Sequence, residues 1–163
     1  MVEYERGKYI ISTDKARLDV DAVHQFLSTQ AYWALNRPIE IVKATIENSI
    51  CFGVYDDDTK KQIGFARAVT DYATFAWVCD VFIIPEYRSQ GLGKWLVECI
   101  VNYPELSSLR RIVLATRDAH ELYRKYGSFS NLRTPERWME KLNVGNQDPL
   151  LAPARTEDLP RSK

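Results

Sequence analysis

The chain has no excess of charge of either sign, since its 163 residues include 22 lysines and arginines against 22 aspartates and glutamates. That balance removes the global basic field of a dedicated nucleic-acid binder, while leaving room for a local basic patch. No apolar run approaches the roughly twenty residues of a membrane span. The opening Met1-Val2-Glu3-Tyr4-Glu5-Arg6 lacks the apolar core of a secretory signal. The expected compartment is the cytoplasm. Cysteine is scarce: Cys51, Cys79 and Cys99 are odd in number, too far apart for a zinc knuckle, and lie in or beside apolar segments. They read as buried free thiols, because cysteine behaves as a small hydrophobe. His24 and His120 are not spaced from each other or from a cysteine as metal ligands are, so no metal site is expected. The acidic triplet Asp56-Asp57-Asp58 lacks the glycine and distal glutamate of a calcium loop, and reads as a solvated turn.

What is present is an alternation of α and β patterns without an internal repeat, in a chain long enough for one domain with a core. Tyr9 to Ser12 suits an opening strand. Asp19 then precedes a helical pattern with Val20, Val23, Phe26 and Leu27 on one face, and Pro38 suits the first turn of a second helix, Ile39 to Asn48. Cys51 to Tyr55 and Gln62 to Val69 alternate as strands around a polar hairpin loop, Asp56 to Lys61. Phe75 to Ile84 is the long central strand, Arg111 to Ala115 the next, and Arg137 to Leu142 a late one. The domain is expected to span 1–144, and the tail from Gly145, with Pro149, Pro153 and Pro160 among small and charged residues, to be mobile.

The most informative run is Pro85-Glu86-Tyr87-Arg88-Ser89-Gln90-Gly91-Leu92-Gly93-Lys94. It follows the apolar stretch Trp77 to Ile84 and opens a helix whose Leu92, Trp95, Leu96, Cys99, Ile100 and Tyr103 form one stripe. Two glycines let the backbone approach an anion, free amides and the positive end of the helix point at it, and Arg88 and Lys94 add charge. A Walker loop is excluded: Arg88 stands five residues before Gly93, where a glycine is required, and Trp95 follows Lys94 in place of Ser or Thr. A dinucleotide fingerprint would need a glycine where Leu96 sits, and an earlier place in the chain. RxxGxG after a strand does fit, with Arg88, Gly91 and Gly93 in the specified positions, and this resembles the coenzyme A pyrophosphate loop of the GNAT superfamily of N-acetyltransferases.

A second segment, Thr116 to Gly127, resembles the later GNAT signature, NxxAxxLY followed by a basic residue and glycine-phenylalanine. Tyr123 occupies the tyrosine position. Thr116 stands where asparagine is usual, and Ser128 separates Gly127 from Phe129. The resemblance extends from the first helix to Leu142 and is closest to a subgroup of compact, stand-alone GNAT proteins.

The resemblance implies a mixed α/β fold with a mostly antiparallel central sheet flanked by helices. It implies acetyl-CoA as cofactor, and a primary amine of a small molecule or peptide attacking the thioester directly. Arg88, Ser89, Gln90, Gly91, Leu92, Gly93 and Lys94 would hold the pyrophosphate. Backbone groups of Val81, Phe82 and Ile83 would pair with the pantetheine arm, with Thr116 and Ala119 nearby. Tyr123 would protonate the departing thiolate; packing alone would equally explain a tyrosine there. Asp80, lying in an apolar run just before Val81, is the candidate base, or else a hydrogen-bonded structural carboxylate. Tyr32, Trp33 and Arg37 between the first two helices, with Asp71 and Tyr72 after a strand, are candidates for binding the acceptor. The alternative is a non-catalytic acyl-CoA-binding module that regulates a partner. Trp138 and Met139 are expected to cover either a core or a homodimer seam.

Overall fold

A computed structural model describes residues 1–141. Six strands, β1 (Glu3–Arg6), β2 (Tyr9–Ser12), β3 (Ile50–Asp56), β4 (Lys61–Thr70), β5 (Phe75–Ile83) and β6 (Arg111–Leu114), lie in one sheet in chain order. Every neighbouring pair is antiparallel except β5 and β6, which run parallel. The helices are α1 (Val20–Thr29), α2 (Ile39–Glu47), α3 (Leu92–Val101), the single turn α4 (Pro104–Ser107) and α5 (His120–Gly127).

The local chemistry accounts for these elements. The Asp19 carboxylate accepts from the Ala22 amide at 2.9 Å and so caps α1, which buries Val23, Phe26 and Leu27. Pro38 occupies the N-cap of α2, where the missing N–H costs no helical bond. The stripe on α3 is buried from Leu92 through Ile100, each large side chain contributing about 1.5–3 kcal/mol when fully removed from water. β3 is buried along its whole length, because the sheet is covered on both faces. On one face α3 closes a core that contains Phe52, Val54, Ala76, Val78 and Ile83. On the other, α1 and α2 close a second core over Cys51, Phe65 and Phe82.

Three details depart from the sequence expectation. β1 was not expected, yet it forms with Val2 and Tyr4 alternating onto the core beneath α3 while Glu3 and Glu5 face outward. It is an edge strand held by its hairpin to β2, whose turn uses Gly7 at φ +60°. Asp56 is not in the hairpin loop but ends β3, buried and paired with the Lys8 ammonium at 3.0 Å. The late strand from Arg137 is replaced, as far as Lys141, by a 3₁₀ turn at Pro135–Arg137 and irregular chain. The Trp138 amide donates to the Pro135 carbonyl at 3.0 Å, and the Arg111 guanidinium lies 5.1 Å from the Trp138 ring, so this stretch packs by side chain and does not pair. Leu142 and the tail from Gly145, with the boundary at residue 144, lie outside the described residues.

Candidate active site

The site begins with an irregularity in β5. Phe65 of β4 pairs with Phe82 and Arg67 with Cys79, so Asp80 and Val81 together oppose Ala66 alone. This is a β-bulge, and it places Asp80 at φ +52°, a conformation unfavourable for a residue with a Cβ unless its surroundings hold it there. They do so through the carboxylate. It accepts from Trp33 Nε1 at 3.1 Å, Arg37 Nη1 at 2.9 Å and Arg67 Nε at 2.6 Å. Arg67 also donates to Ser49 Oγ at 3.2 Å, and Asp80 is buried. The bulge inverts the strand's alternation. Ala76 and Val78 face the α3 side, yet after Asp80 it is Val81 and Ile83 that do so, while Phe82 turns to stack on Phe26 of α1 with ring centroids 3.9 Å apart.

Beyond the bulge, β5 loses its neighbour. Its parallel pairing with β6 runs only from Phe75–Arg111 to Val78–Leu114, so the edge formed by Val81, Phe82 and Ile83 is unpaired on that side. Tyr123 of α5 lies where the two strands separate: it lines a cavity of about 270 Å³ with Leu114, Thr116, His120 and Phe129. The phenol is pushed up to about 12, chiefly by burial, with Tyr32, Asp118 and Cys79 adding to the effect. The turn into α5 is fixed by Thr116 Oγ1, which accepts from the Ala119 amide at 3.1 Å.

Tyr32 and Trp33 connect the two parts. Their rings meet edge to face at 4.9 Å, and as Trp33 reaches Asp80, the Tyr32 hydroxyl accepts from the Arg117 amide at 3.3 Å. The Arg117 guanidinium stacks 3.8 Å from the Tyr32 ring centroid. Tyr32, Trp33, Arg37, Asp80 and Tyr123 are thus brought together by the link between α1 and α2. Asp71 and Tyr72 are elsewhere, at the tip of the β4–β5 hairpin. The Asp71 carboxylate accepts from the amides of Ala73, Thr74 and Phe75 and from the Thr74 hydroxyl, which holds it far below the usual carboxylate range and ties it to its own turn. Tyr72 projects into solvent.

At the other end of the unpaired edge, the chain makes a 3₁₀ turn at Pro85–Tyr87 and enters α3 through Gly91 at φ +77°. No side chain caps this helix, and the first intrahelical bond runs from the Trp95 amide to the Gly91 carbonyl at 3.1 Å, leaving the amides of Leu92, Gly93 and Lys94 open. A Cβ added at Gly93 would meet nothing within 4 Å, so the helix surface beside these amides is open. Two of the cations expected at this loop are partly engaged: Arg88 Nε donates to the Ile83 carbonyl at 2.9 Å, and the Lys94 ammonium lies 5.2 Å from the Tyr126 ring. The sequence did not point to the first hairpin as a neighbour of the loop. Tyr9 donates its hydroxyl proton to Gln90 Oε1 at 2.6 Å, and Arg6 lies over the Trp95 ring. No motif marks either residue, and the only hint is the unexplained aromatic and basic content of the N-terminal segment.

A sheet parted beyond a bulge, a buried phenol at the fork and an uncapped glycine-led helix start thus lie along one edge of β5. The chain belongs to the acetyltransferase (GNAT) family, whose model matches residues 20–128. It is 33 % identical, over 143 residues covering 75 % of this chain and 79 % of the relative, to a Gibberella zeae protein assigned to the acetyltransferases. It spans about half the length of several other curated relatives. The crystal structure of a Xanthomonas campestris protein assigned to the GNAT family superposes with a TM-score of 0.79 at 41 % identity, covering 85 % of this chain and 95 % of that one. A Clostridium acetobutylicum protein crystallised with acetyl-CoA shares the fold, with a TM-score of 0.61 at 16 % identity over 83 % of this chain and 95 % of that one. Among the described residues no helix is long and apolar enough to cross a membrane.

Proposed function

We propose that the chain is an N-acetyltransferase that takes its acetyl group from acetyl-CoA and delivers it to a primary amine of a small molecule or peptide. The observation that carries this reading is Tyr123, a phenol that keeps its proton at neutral pH, standing where β5 and β6 part. The residues present suit the cofactor. Open amides of Leu92, Gly93 and Lys94 would donate to the diphosphate, with Ser89 and Gln90 shaping the approach and Arg88 adding charge. The unpaired backbone of Val81, Phe82 and Ile83 offers the pantetheine amides a strand to join. When bound, acetyl-CoA supplies an acetyl group already activated as a thioester.

The chain's own residues then have separable roles. As the amine nitrogen bonds the acetyl carbon and the C–S bond breaks, Tyr123 donates a hydrogen bond, and ultimately a proton, to the sulfur that departs. The proton the amine loses passes to water, from which Tyr123 is restored. The bulge fixes the direction of the backbone amides just after Asp80, where an acetyl carbonyl would meet a donor. We assign Asp80 the role of holding that bulge, since three donors already occupy its oxygens. Tyr32 and Trp33 form the wall on which the amine is positioned, Trp33 held by its bond to Asp80, which Arg37 also grips, and Tyr32 by Arg117. Saturating acetyl-CoA should raise the melting temperature, because a ligand held only by the native state stabilises it. A flat response would overturn the reading. A thiol-release screen against amino acids, polyamines, aminoglycosides, arylalkylamines and peptides identifies the acceptor.

A further inference from the structure

The cleft is flanked by an element that the family match does not reach: residues 20–128 are matched, and the β1–β2 hairpin lies before them. This hairpin is joined to the loop before α3 by three contacts. The Tyr9 hydroxyl donates to Gln90 Oε1 at 2.6 Å, the Tyr9 ring meets Tyr87 edge-on with centroids 6.4 Å apart, and the Arg6 guanidinium carbon lies 4.8 Å from the centroid of the Trp95 ring. Arg6 also comes close to the backbone that turns into the helix, since one of its terminal nitrogens would stand 3.6 Å from a Cβ placed on Gly91.

The state of this guanidinium distinguishes it from the other cations at the loop. The described residues give it no hydrogen bond and no ion pair, and it rests over the indole face. Arg88 has one nitrogen committed to a carbonyl, and Lys94 leans towards α5. A guanidinium held over an indole face, with none of its N–H groups bonded to the described residues, keeps the planar donor fork that recognises a phosphate in bidentate fashion. Beside it stand three open amides at the start of a ten-residue helix. An unpartnered fork and a set of unpartnered amides, side by side, complement a ligand with two adjacent anionic groups better than either does alone.

We propose that Arg6, carried in from the N-terminal hairpin, is a phosphate-binding residue of the cofactor site and grips the diphosphate beside the α3 amides. Tyr9 is its positioning partner, because its bond to Gln90 ties the hairpin to the loop. The inference rests on the acetyl-CoA reading above and adds to it a residue outside the loop. Its consequence is that the first strand, an edge strand that packs only Val2 and Tyr4 on the core, serves binding as well as pairing.

Isothermal titration with acetyl-CoA, 3′-dephospho-acetyl-CoA and S-acetylpantetheine separates the possibilities, using the full chain and its Arg6→Gln and Arg6→Lys variants, with melting temperatures measured without ligand. Arg6→Gln should weaken both phosphorylated ligands by the same factor, about ten- to a hundredfold as expected for a charge-assisted hydrogen bond. It should leave S-acetylpantetheine binding unchanged and lower the melting temperature no further than the loss of one exposed cation–π contact does, with Arg6→Lys intermediate. Equal affinity of wild type and Arg6→Gln for acetyl-CoA overturns the proposal. So does a loss confined to the ligand bearing the 3′-phosphate, which would move the contact off the diphosphate, or an equal loss for S-acetylpantetheine, which would make the effect structural. If the wild type binds none of the three, the acetyl-CoA reading itself fails, an outcome distinct from failure of the Arg6 assignment.

Discussion

The loop that opens α3 and the cluster around Asp80 lie at the two ends of one short stretch of β5 and treat polar groups in opposite ways. At the loop, amides are left open, and so is the helix surface beside them. At Asp80, both carboxylate oxygens are engaged by an indole and two guanidiniums in a buried pocket. Both use a positive φ, at Gly91 without cost and at Asp80 against the preference of its side chain. The contrast teaches a division of labour: on the proposed reading, the open donors would take the ligand and the satisfied charged cluster would hold the site in shape.

The largest effect should come from attacking the satisfied end. Asp80→Ala leaves Arg37 and Arg67 facing each other with no counter-charge, and should cost about 3–5 kcal/mol in urea unfolding. A catalytic base without a structural role would lower turnover and leave stability alone, so an unchanged unfolding midpoint would erase the contrast. At the fork, Tyr123→Phe should lower kcat by about a hundredfold, the lower range for a lost general acid, with acetyl-CoA affinity unchanged by titration.

A third test separates binding from stability. Gly93→Ala gains about 0.5–1 kcal/mol of helix propensity and meets nothing in the free protein, so the melting temperature should rise. The added methyl occupies the space beside the open amides, so acetyl-CoA affinity should fall. Signs that agree would mean that the space is not where the cofactor lies.

The smallest effect concerns protons. Burial raises the Tyr123 phenol from 10.0 to about 12, so between those values the unfolded chain has lost a proton that the folded one keeps. Stability from this residue is therefore fully present below pH 10 and falls as pH rises through about 12. The ultraviolet titration difference between wild type and Tyr123→Phe should show a midpoint near the upper value. A midpoint near 10 would place the hydroxyl in open solvent.

Much of the open end was readable from residues alone. The glycine spacing, the apolar stripe from Leu92 to Tyr103 and the capping aspartate before Val20 are local signals, and each corresponds to a local structure. The satisfied end was not readable, because it depends on three segments meeting. Nothing near Asp80 announces that Trp33 and Arg37 come from another element, or that the run Trp-Val-Cys-Asp-Val-Phe-Ile contains an extra residue. Asp71 looked equally free in the sequence, yet its turn takes all its acceptor capacity. β1 was missed because only Val2 and Tyr4 alternate onto the core there, and with it went Arg6. Arg137 read as a strand start because Pro135 is compatible with a strand edge as well as with the 3₁₀ turn that forms.

The extra residue at position 80 also governs how the chain can change in length. Removing it would restore an unbroken two-residue rhythm along β5, but would turn Phe82 away from Phe26 and push Ile83 out of the opposite core, so a single deletion here reverses inside and outside for the rest of the strand. The four-residue turn between β3 and β4 carries no such phase. Insertions of any size should be accepted there while even one is refused in β5, a difference that a length-scanning library would display directly.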